Sequence, residues 1–189
     1  QQKLHRKRSG WCVCRPDDEY PAATVSSIYF DTRRWRFLRE KTASDYLKTK
    51  VRLRWYSDLA DRRADAAALL EVKEKIGARR VKFRQRSGWT GPELAGLRLD
   101  SPRLLNIHRT LATAGGGIFP PLLPAVRISY IRHRFVERTT GARVCLDSNI
   151  RAAAVNPVML PLANPFAIDE AVFEMKSAAE ELPAPLYRL

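Results

Sequence analysis

The sequence predicts a mainly β protein of the α+β class, with antiparallel strands closing into a barrel and a few helices beside it. Three observations predict it. Stretches with a period of two recur along the chain, the clearest being Tyr46-Leu-Lys-Thr-Lys-Val-Arg-Leu-Arg-Trp-Tyr56. Helical spacing of apolar residues is confined to one middle region, from Pro92 to Ala114. The chain of 189 residues is 45% hydrophobic, enough for one compact domain with its own core, so residues 1–189 are read as one domain.

The elements follow in order. Gln1 to Ser9 is basic and shows no period, and Arg15 to Pro21 reads as a loop. Thr24 to Phe30 is β-branched and aromatic, a strand ended by Asp31-Thr32. Arg33 to Ser44 reads as a short helix or turn, and Asp45 to Tyr56 as the long strand. Ser57 to Ala68 is polar and Ala-rich, a loop. Leu69 to Lys75 and Arg80 to Arg86 are strands joined by a turn at Gly77-Ala78. Leu94, Leu97, Leu104, Leu105, Ile107 and Leu111 mark two short helices split near Ser101-Pro102, with the leucine stripe packing the core. Gly115-Gly116-Gly117 and Pro120, Pro121 and Pro124 form a linker; without a following Lys-Ser/Thr it is not a phosphate loop. Ala125 to Val136, Ala142 to Asp147 and Ala171 to Lys176 complete the strands, with Ile150 to Ala163 irregular.

Charge carries the functional signal. The chain has 34 Lys+Arg against 20 Asp+Glu, a net charge of +14. That balance points to nucleic acid, anionic membrane or polyphosphorylated ligands as partners. Successive side chains of a strand point to opposite faces, so Lys48, Lys50, Arg52 and Arg54 share one face and Val51, Leu53 and Trp55 the other. Four like charges in a row repel unless an anion sits among them. If these faces point inward, the barrel lumen is a basic tunnel and the middle helices cover the apolar outside. If they point outward, the protein is a conventional barrel with a basic surface. The residues alone leave both arrangements open.

Other classes are excluded or expected to be absent. No apolar run approaches the roughly 20 residues of a membrane span. Cys12, Cys14 and Cys145 complete no zinc site and are read as reduced thiols, which suggests a cytoplasmic protein. His5, His108 and His133 form no cluster. Asp31 and Asp147 read as turn or capping residues. Arg84, Arg86 and Arg134 are lumen or rim charges. Opening on Gln1, the sequence is expected to be a piece of a longer chain.

Seven motifs then occur in one order: Val25-Ser-Ser-Ile-Tyr-Phe-Asp-Thr32, Lys50-Val-Arg-Leu-Arg-Trp-Tyr56, Glu71-Val-Lys73, Val81-Lys-Phe-Arg84, Tyr130-Ile-Arg132, Arg143-Val-Cys-Leu-Asp147 and Glu174-Met-Lys176. Together they resemble the catalytic domain of the vacuolar transporter chaperone (VTC) family. That is the polyphosphate polymerase domain of the triphosphate tunnel metalloenzyme superfamily. The resemblance implies an eight-stranded antiparallel tunnel lined by Arg and Lys. It implies transfer of the γ-phosphoryl group of ATP to polyphosphate, with Mn²⁺ or Mg²⁺ as cofactor. By position in the motifs, the catalytic cations are Arg52, Arg54, Lys73, Lys82, Arg132 and Arg143. Lys3, Lys50, Lys75, Arg84, Tyr130 and Lys176 complete the substrate-binding set. Glu174 is the first candidate for the metal ligand and Glu71 the second. The implied partners are ATP and inorganic polyphosphate or triphosphate, not nucleic acid.

The chemistry suits these residue types. Phosphoryl transfer passes through a loose transition state, so catalysis is positioning and charge stabilisation. Guanidinium forks grip phosphate oxygens in pairs, lysine acts as a point charge, and a hard divalent ion takes oxygen ligands. Other readings of the same scaffold are a polyphosphate-binding accessory domain without turnover, and a triphosphate hydrolase or nucleotide cyclase. Those last branches typically begin with Glu-x-Glu-x-Lys, where this chain has Gln2-Lys3. The family's opening Arg-x-Glu-x-Lys-Tyr strand is reduced to Gln2-Lys3-Leu4, and its late Ser-Lys-Tyr segment is absent from the sequence.

Overall fold

The structure, a computed structural model, describes residues 14–43, 46–59, 67–138 and 141–176. Among these residues nine strands form one antiparallel sheet. They are β1 (Cys14–Pro16), β2 (Ala23–Thr32), β3 (Leu47–Asp58), β4 (Ala67–Ile76), β5 (Arg79–Thr90), β6 (Leu122–Glu137), β7 (Arg143–Val155), β8 (Phe166–Ile168) and β9 (Val172–Lys176). The order across the sheet is β5-β4-β3-β2-β6-β7-β8, with β1 also on β6 and β9 also on β7.

Each element has a local cause. Gly77 turns the β4–β5 hairpin at φ +59°, a left-handed conformation that glycine adopts without a steric cost. Helix α1 (Arg36–Ala43) is anchored by Asp31, whose carboxylate accepts from the amides of Phe37 and Leu38, both at 2.9 Å. Asp31 therefore caps, as its position predicted. Helix α2 (Gly91–Gly96) starts with a capping box, Thr90 and Glu93 each bonding the other's amide. A 3-10 turn (Pro102–Leu104) and helix α3 (Ile107–Thr113) follow, split where Ser101-Pro102 predicted.

The helices lie on the apolar face of the sheet. Ile28, Phe30, Val51, Leu53, Trp55, Leu70 and Val72 pack there against Phe37, Leu94, Leu104, Ile107 and Leu111. The approach is close: a Cβ at Gly91 would come within 2.5 Å of Trp55 Cδ1. Phe37 and Phe119 meet edge to face at 6.0 Å. The opposite face carries the cations. The helices cover one side of β3 and side chains of β2, β4 and β6 crowd the other, so Val51 through Trp55 are buried without exception.

Several expectations need correction. Among the described residues the sheet is open: β5 ends one side, β8 and β9 share the outer flank of β7, and no pairing joins them. A closed eight-stranded barrel is therefore not what these residues form. The β5 edge carries Arg79, Arg80, Lys82, Arg84 and Arg86, a charge density that opposes further strand pairing. The Arg15 to Pro21 loop begins as strand β1, because Cys14 to Pro16 extends the flank of β6 next to β2. Of Ile150 to Ala163, read as irregular, only Asn156 to Ala163 is so: β7 runs on to Val155, passing a register shift against β6 and Asn149 at φ +52°. That shift breaks the period of two and hid the strand. Strand β8 has only three residues and gave no pattern. Asp147 lies within β7 rather than in a turn. Leu105 is exposed, since the 3-10 turn rotates it away from Leu104. Among the described residues no helix is long and apolar enough to cross a membrane.

Leu53 is wholly buried at the centre of the apolar face. Leu53→Ala should lower the unfolding free energy by about 2–5 kcal/mol, measured by urea denaturation. A smaller loss would mean that the helices do not seal this face.

Candidate functional site

The register of the strands builds the cationic face in rows. One row reads Lys50–Lys73–Lys82 across β3, β4 and β5. The next reads Tyr29–Arg52–Glu71–Arg84 across β2 to β5. The third reads Ser27–Arg54–Leu69–Arg86. Side chains facing the same way in aligned strands stand within reach of one another.

Arg52 is 5% exposed and Arg54 7% exposed, yet their partners differ. Arg52 donates from Nε to Glu71 Oε2 at 2.7 Å, with Nη2 at 2.6 Å from the same oxygen. Its Nη1 donates to the Tyr29 hydroxyl at 3.4 Å. Arg84 Nε stands 3.2 Å from the other Glu71 oxygen. Arg54 has neutral partners: Nε donates to Ser27 Oγ at 3.0 Å and Nη2 to the Tyr130 hydroxyl at 3.2 Å. Among the described residues no carboxylate forms an ion pair with Arg54. Arg54 thus makes its hydrogen bonds to hydroxyls, with the Glu71 charge felt but not paired with it, an arrangement that leaves the guanidinium able to take an anion.

A second group lies across β6, β7 and β9. Arg132 grips Asp147 with both arms, Nε at 2.7 Å and Nη2 at 2.6 Å. Glu174 stands 3.6 Å from Arg132 and 3.3 Å from Lys176, and its side chain is 43% exposed. The Arg132 guanidinium also lies 5.3 Å from the Tyr130 ring centroid, which links this group to Arg54.

A third group belongs to the 17–21 loop. Arg134 donates to the Pro21 carbonyl and stacks between Tyr20 and Tyr56, 6.0 and 5.8 Å from their centroids. Arg143 sits 5.7 Å from the Tyr20 centroid and 3.8 Å from Glu19. Arg134 thus fastens a loop, and Arg143 stands at the margin beside it rather than with Arg52 and Arg54.

Residues 5–90 match the family model of the VTC domain. The VTC resemblance read in the sequence is thereby borne out over that part of the chain. No curated protein matches the chain. The VTC match takes in Tyr29, Lys50, Arg52, Arg54, Glu71, Lys73, Lys75, Lys82 and Arg84; Tyr130, Arg132, Arg143, Glu174 and Lys176 lie beyond it. Lys3 lies outside the described residues. Lys75 pairs in register with Lys48 and Arg80, at the turn end of the same face. Lys82, Arg84 and Arg86 are exposed on β5, so they form its open edge.

Sequence reasoning passed over three residues. Tyr29 and Ser27 alternate with apolar neighbours on β2, and that parity was the signal available. Asp147 was read as a turn residue and is instead the partner of Arg132. A divalent ion would draw on the carboxylates of this face. Among the described residues no three His, Cys, Asp or Glu side chains cluster as a metal site. Glu71 and Asp147 are held by guanidiniums at both oxygens and are 10% and 9% exposed; Glu174 also has a cation near each oxygen, at longer distance, but its side chain is 43% exposed and open to an ion.

The cations set the local proton equilibria. Burial pushes the Tyr29 phenol up, but Arg52, Lys50 and Arg54 around it outweigh that and leave it below the ordinary tyrosine range. Crowding by the surrounding protein lowers Lys50 and Lys73 although both side chains reach solvent, neighbouring Arg52 lowers both further, and Tyr29 opposes this at Lys50 and Glu71 at Lys73. Burial would raise Glu71, yet Arg52, Arg54 and Arg84 hold it below the ordinary carboxylate range. The Asp147 hydrogen bonds raise Arg132. For Tyr29 the folded-state value is the lower one, so it adds stability as pH rises through that value. Burial raises Tyr130, and its bond with Glu19 raises Tyr20. In an ultraviolet phenolate titration one tyrosine should therefore ionise below the ordinary range, and Tyr29→Phe should delete that phase. Survival of the phase in the variant would dissociate Tyr29 from the cation cluster.

Proposed function

We propose that the protein is a metal-dependent polyphosphate polymerase that transfers the γ-phosphoryl group of ATP to an inorganic polyphosphate chain on this cationic face. The observation that carries the reading is Arg54, a buried guanidinium with hydroxyl partners, flanked by rows of further cations. The VTC match over residues 5–90 supports it.

The acceptor is itself an anionic phosphate, so the protein need supply no nucleophile. What it supplies is placement and charge. Arg54 and Arg52 bind phosphate oxygens as forks, and Lys50, Lys73 and Lys82 add point charges along the adjoining row. Arg132, oriented by Asp147, faces the same region from β6, with Tyr130 between it and Arg54. Lys75, Arg84, Arg143 and Lys176 extend the basic path at its margins. Bound Mn²⁺ or Mg²⁺, held by Glu174 with phosphate and water oxygens completing its shell, would neutralise charge on the transferring group. Glu71 is the weaker candidate for that ligand, since it is 10% exposed and held by guanidiniums at 2.6 to 3.2 Å, whereas Glu174 is 43% exposed.

A second reading is a polyphosphate-binding domain without turnover. It is favoured by the engagement of Glu71 and Asp147, so that among the described residues Glu174 is the more exposed of the three carboxylates in these ion pairs. Incubation of the protein with ATP and Mn²⁺, followed by a gel stained for polyphosphate, separates the two. Chains that a phosphatase removes establish polymerisation; tight tripolyphosphate binding without product favours the accessory role. Release of inorganic phosphate alone would indicate a hydrolase.

Arg54→Gln should weaken tripolyphosphate binding about tenfold or more by calorimetry, the scale of one lost charge-assisted hydrogen bond pair, while the unfolding midpoint holds or rises. Unchanged affinity would remove Arg54 from the site. Glu174→Gln should abolish metal-dependent turnover and spare tripolyphosphate binding; retained turnover would place the metal elsewhere.

A further inference from the structure

Glu71 stands in a position that the polymerase reading does not explain. It lies in the middle of a cationic row, opposite Arg52 on β3 and Arg84 on β5. Its carboxylate meets Arg52 through Nε and Nη2 at 2.7 and 2.6 Å, the paired-donor approach that a guanidinium also uses toward a phosphate oxygen. The second oxygen faces Arg84 at 3.2 Å. In the neighbouring row, the place opposite Arg54 on β4 is Leu69, which offers no charge. So two buried guanidiniums, two residues apart, are treated differently. One is neutralised from within the fold, and the other is left to hydroxyls.

We propose that Glu71 is an internal counter-anion, occupying in the ligand-free protein the place between Arg52 and Arg84 that a phosphate group of the polyanion takes on binding. This deepens the polyphosphate reading and rests on it. An unpaired buried charge is costly, so two of them in one strand would weaken the empty fold; Glu71 removes one of these costs. The same carboxylate repels the incoming chain and must give up Arg52 to it, which keeps affinity below what the cations alone would confer. A chain that has to advance or leave is served by such tempered binding.

The test compares wild type, Glu71→Gln and Arg54→Gln in EDTA, so that no metal takes part. Glu71→Gln should bind tripolyphosphate about three- to tenfold more tightly, since one repelling charge is gone. Its unfolding midpoint without ligand should fall by several degrees, and saturating tripolyphosphate should restore more of that midpoint than it adds to wild type. If Glu71→Gln is unfolded alone, it should fold when tripolyphosphate is added, and failure to do so would overturn the proposal. Glu71→Asp, which keeps the charge on a shorter arm, should fall between wild type and Glu71→Gln in both readouts. Weaker or unchanged binding by Glu71→Gln overturns the proposal in favour of a purely positioning role. Unchanged binding in EDTA with a shifted Mn²⁺ half-saturation overturns it in favour of a metal ligand. If wild type and Glu71→Gln both fail to bind tripolyphosphate, the polyanion reading itself falls and this proposal with it. If wild type binds and Glu71→Gln binds no better, only the counter-anion role is lost.

Discussion

A guanidinium taken out of water needs a partner, and strand β3 withdraws two within three residues, Arg52 and Arg54. Much else on the sheet answers to that constraint. Ser27 and Tyr130 turn their hydroxyls toward Arg54, and the Tyr29 hydroxyl and the Glu71 carboxylate accept from Arg52. The same solution recurs at Arg132, which Asp147 holds from the next strand. The apolar side of β3 is held by the helical layer, where Val51, Leu53 and Trp55 are buried, and this places β3 between β2 and β4, whose side chains crowd the guanidiniums on the other side. A basic face on a central strand is thus the outcome of two-residue periodicity combined with a one-sided helical layer.

This separates cations that serve the fold from cations that the proposed site would use. Arg134 stacks between two tyrosines and bonds the Pro21 carbonyl; its charge is spent on fastening the 17–21 loop. Arg127 bonds the carbonyls of Leu94 and Ala95 and secures α2 to β6. Arg54, Lys50 and Lys73 have no such structural duty among the described residues. A net charge of +14 therefore overstates the number of cations left over from fastening the fold.

Much of the fold was legible because strands β2 to β5 are regular. Their alternation sets which residues share a face, and register then follows from the tight turn at Gly77. The pairing of Arg52 and Arg54 on one surface, the helical middle and the capping role of Asp31 all came from such local patterns. What was not legible depends on distant pairing. Asp147 looked like a turn residue until β7 placed it opposite Arg132. The second half of β7 was hidden by its register shift, and β8 by its brevity. Closure into a barrel was an inference from strand number, and strand number does not determine whether the edges meet. Glu71 was recognisable as a carboxylate among cations, but its bridging of Arg52 and Arg84 required the β3–β4–β5 register.

The seat of α2 on β3 has a mechanical meaning. Gly91 leaves no room for a side chain against Trp55, and Trp55 is the immediate neighbour of Arg54 on the opposite surface. The helical layer and the basic layer are separated by the thickness of a single polypeptide backbone. Any wedge that lifts the helix is felt directly by the strand, and the far side of that strand is where the guanidiniums are aimed. Tolerances on the oily side of the molecule are thereby inherited by the charged side.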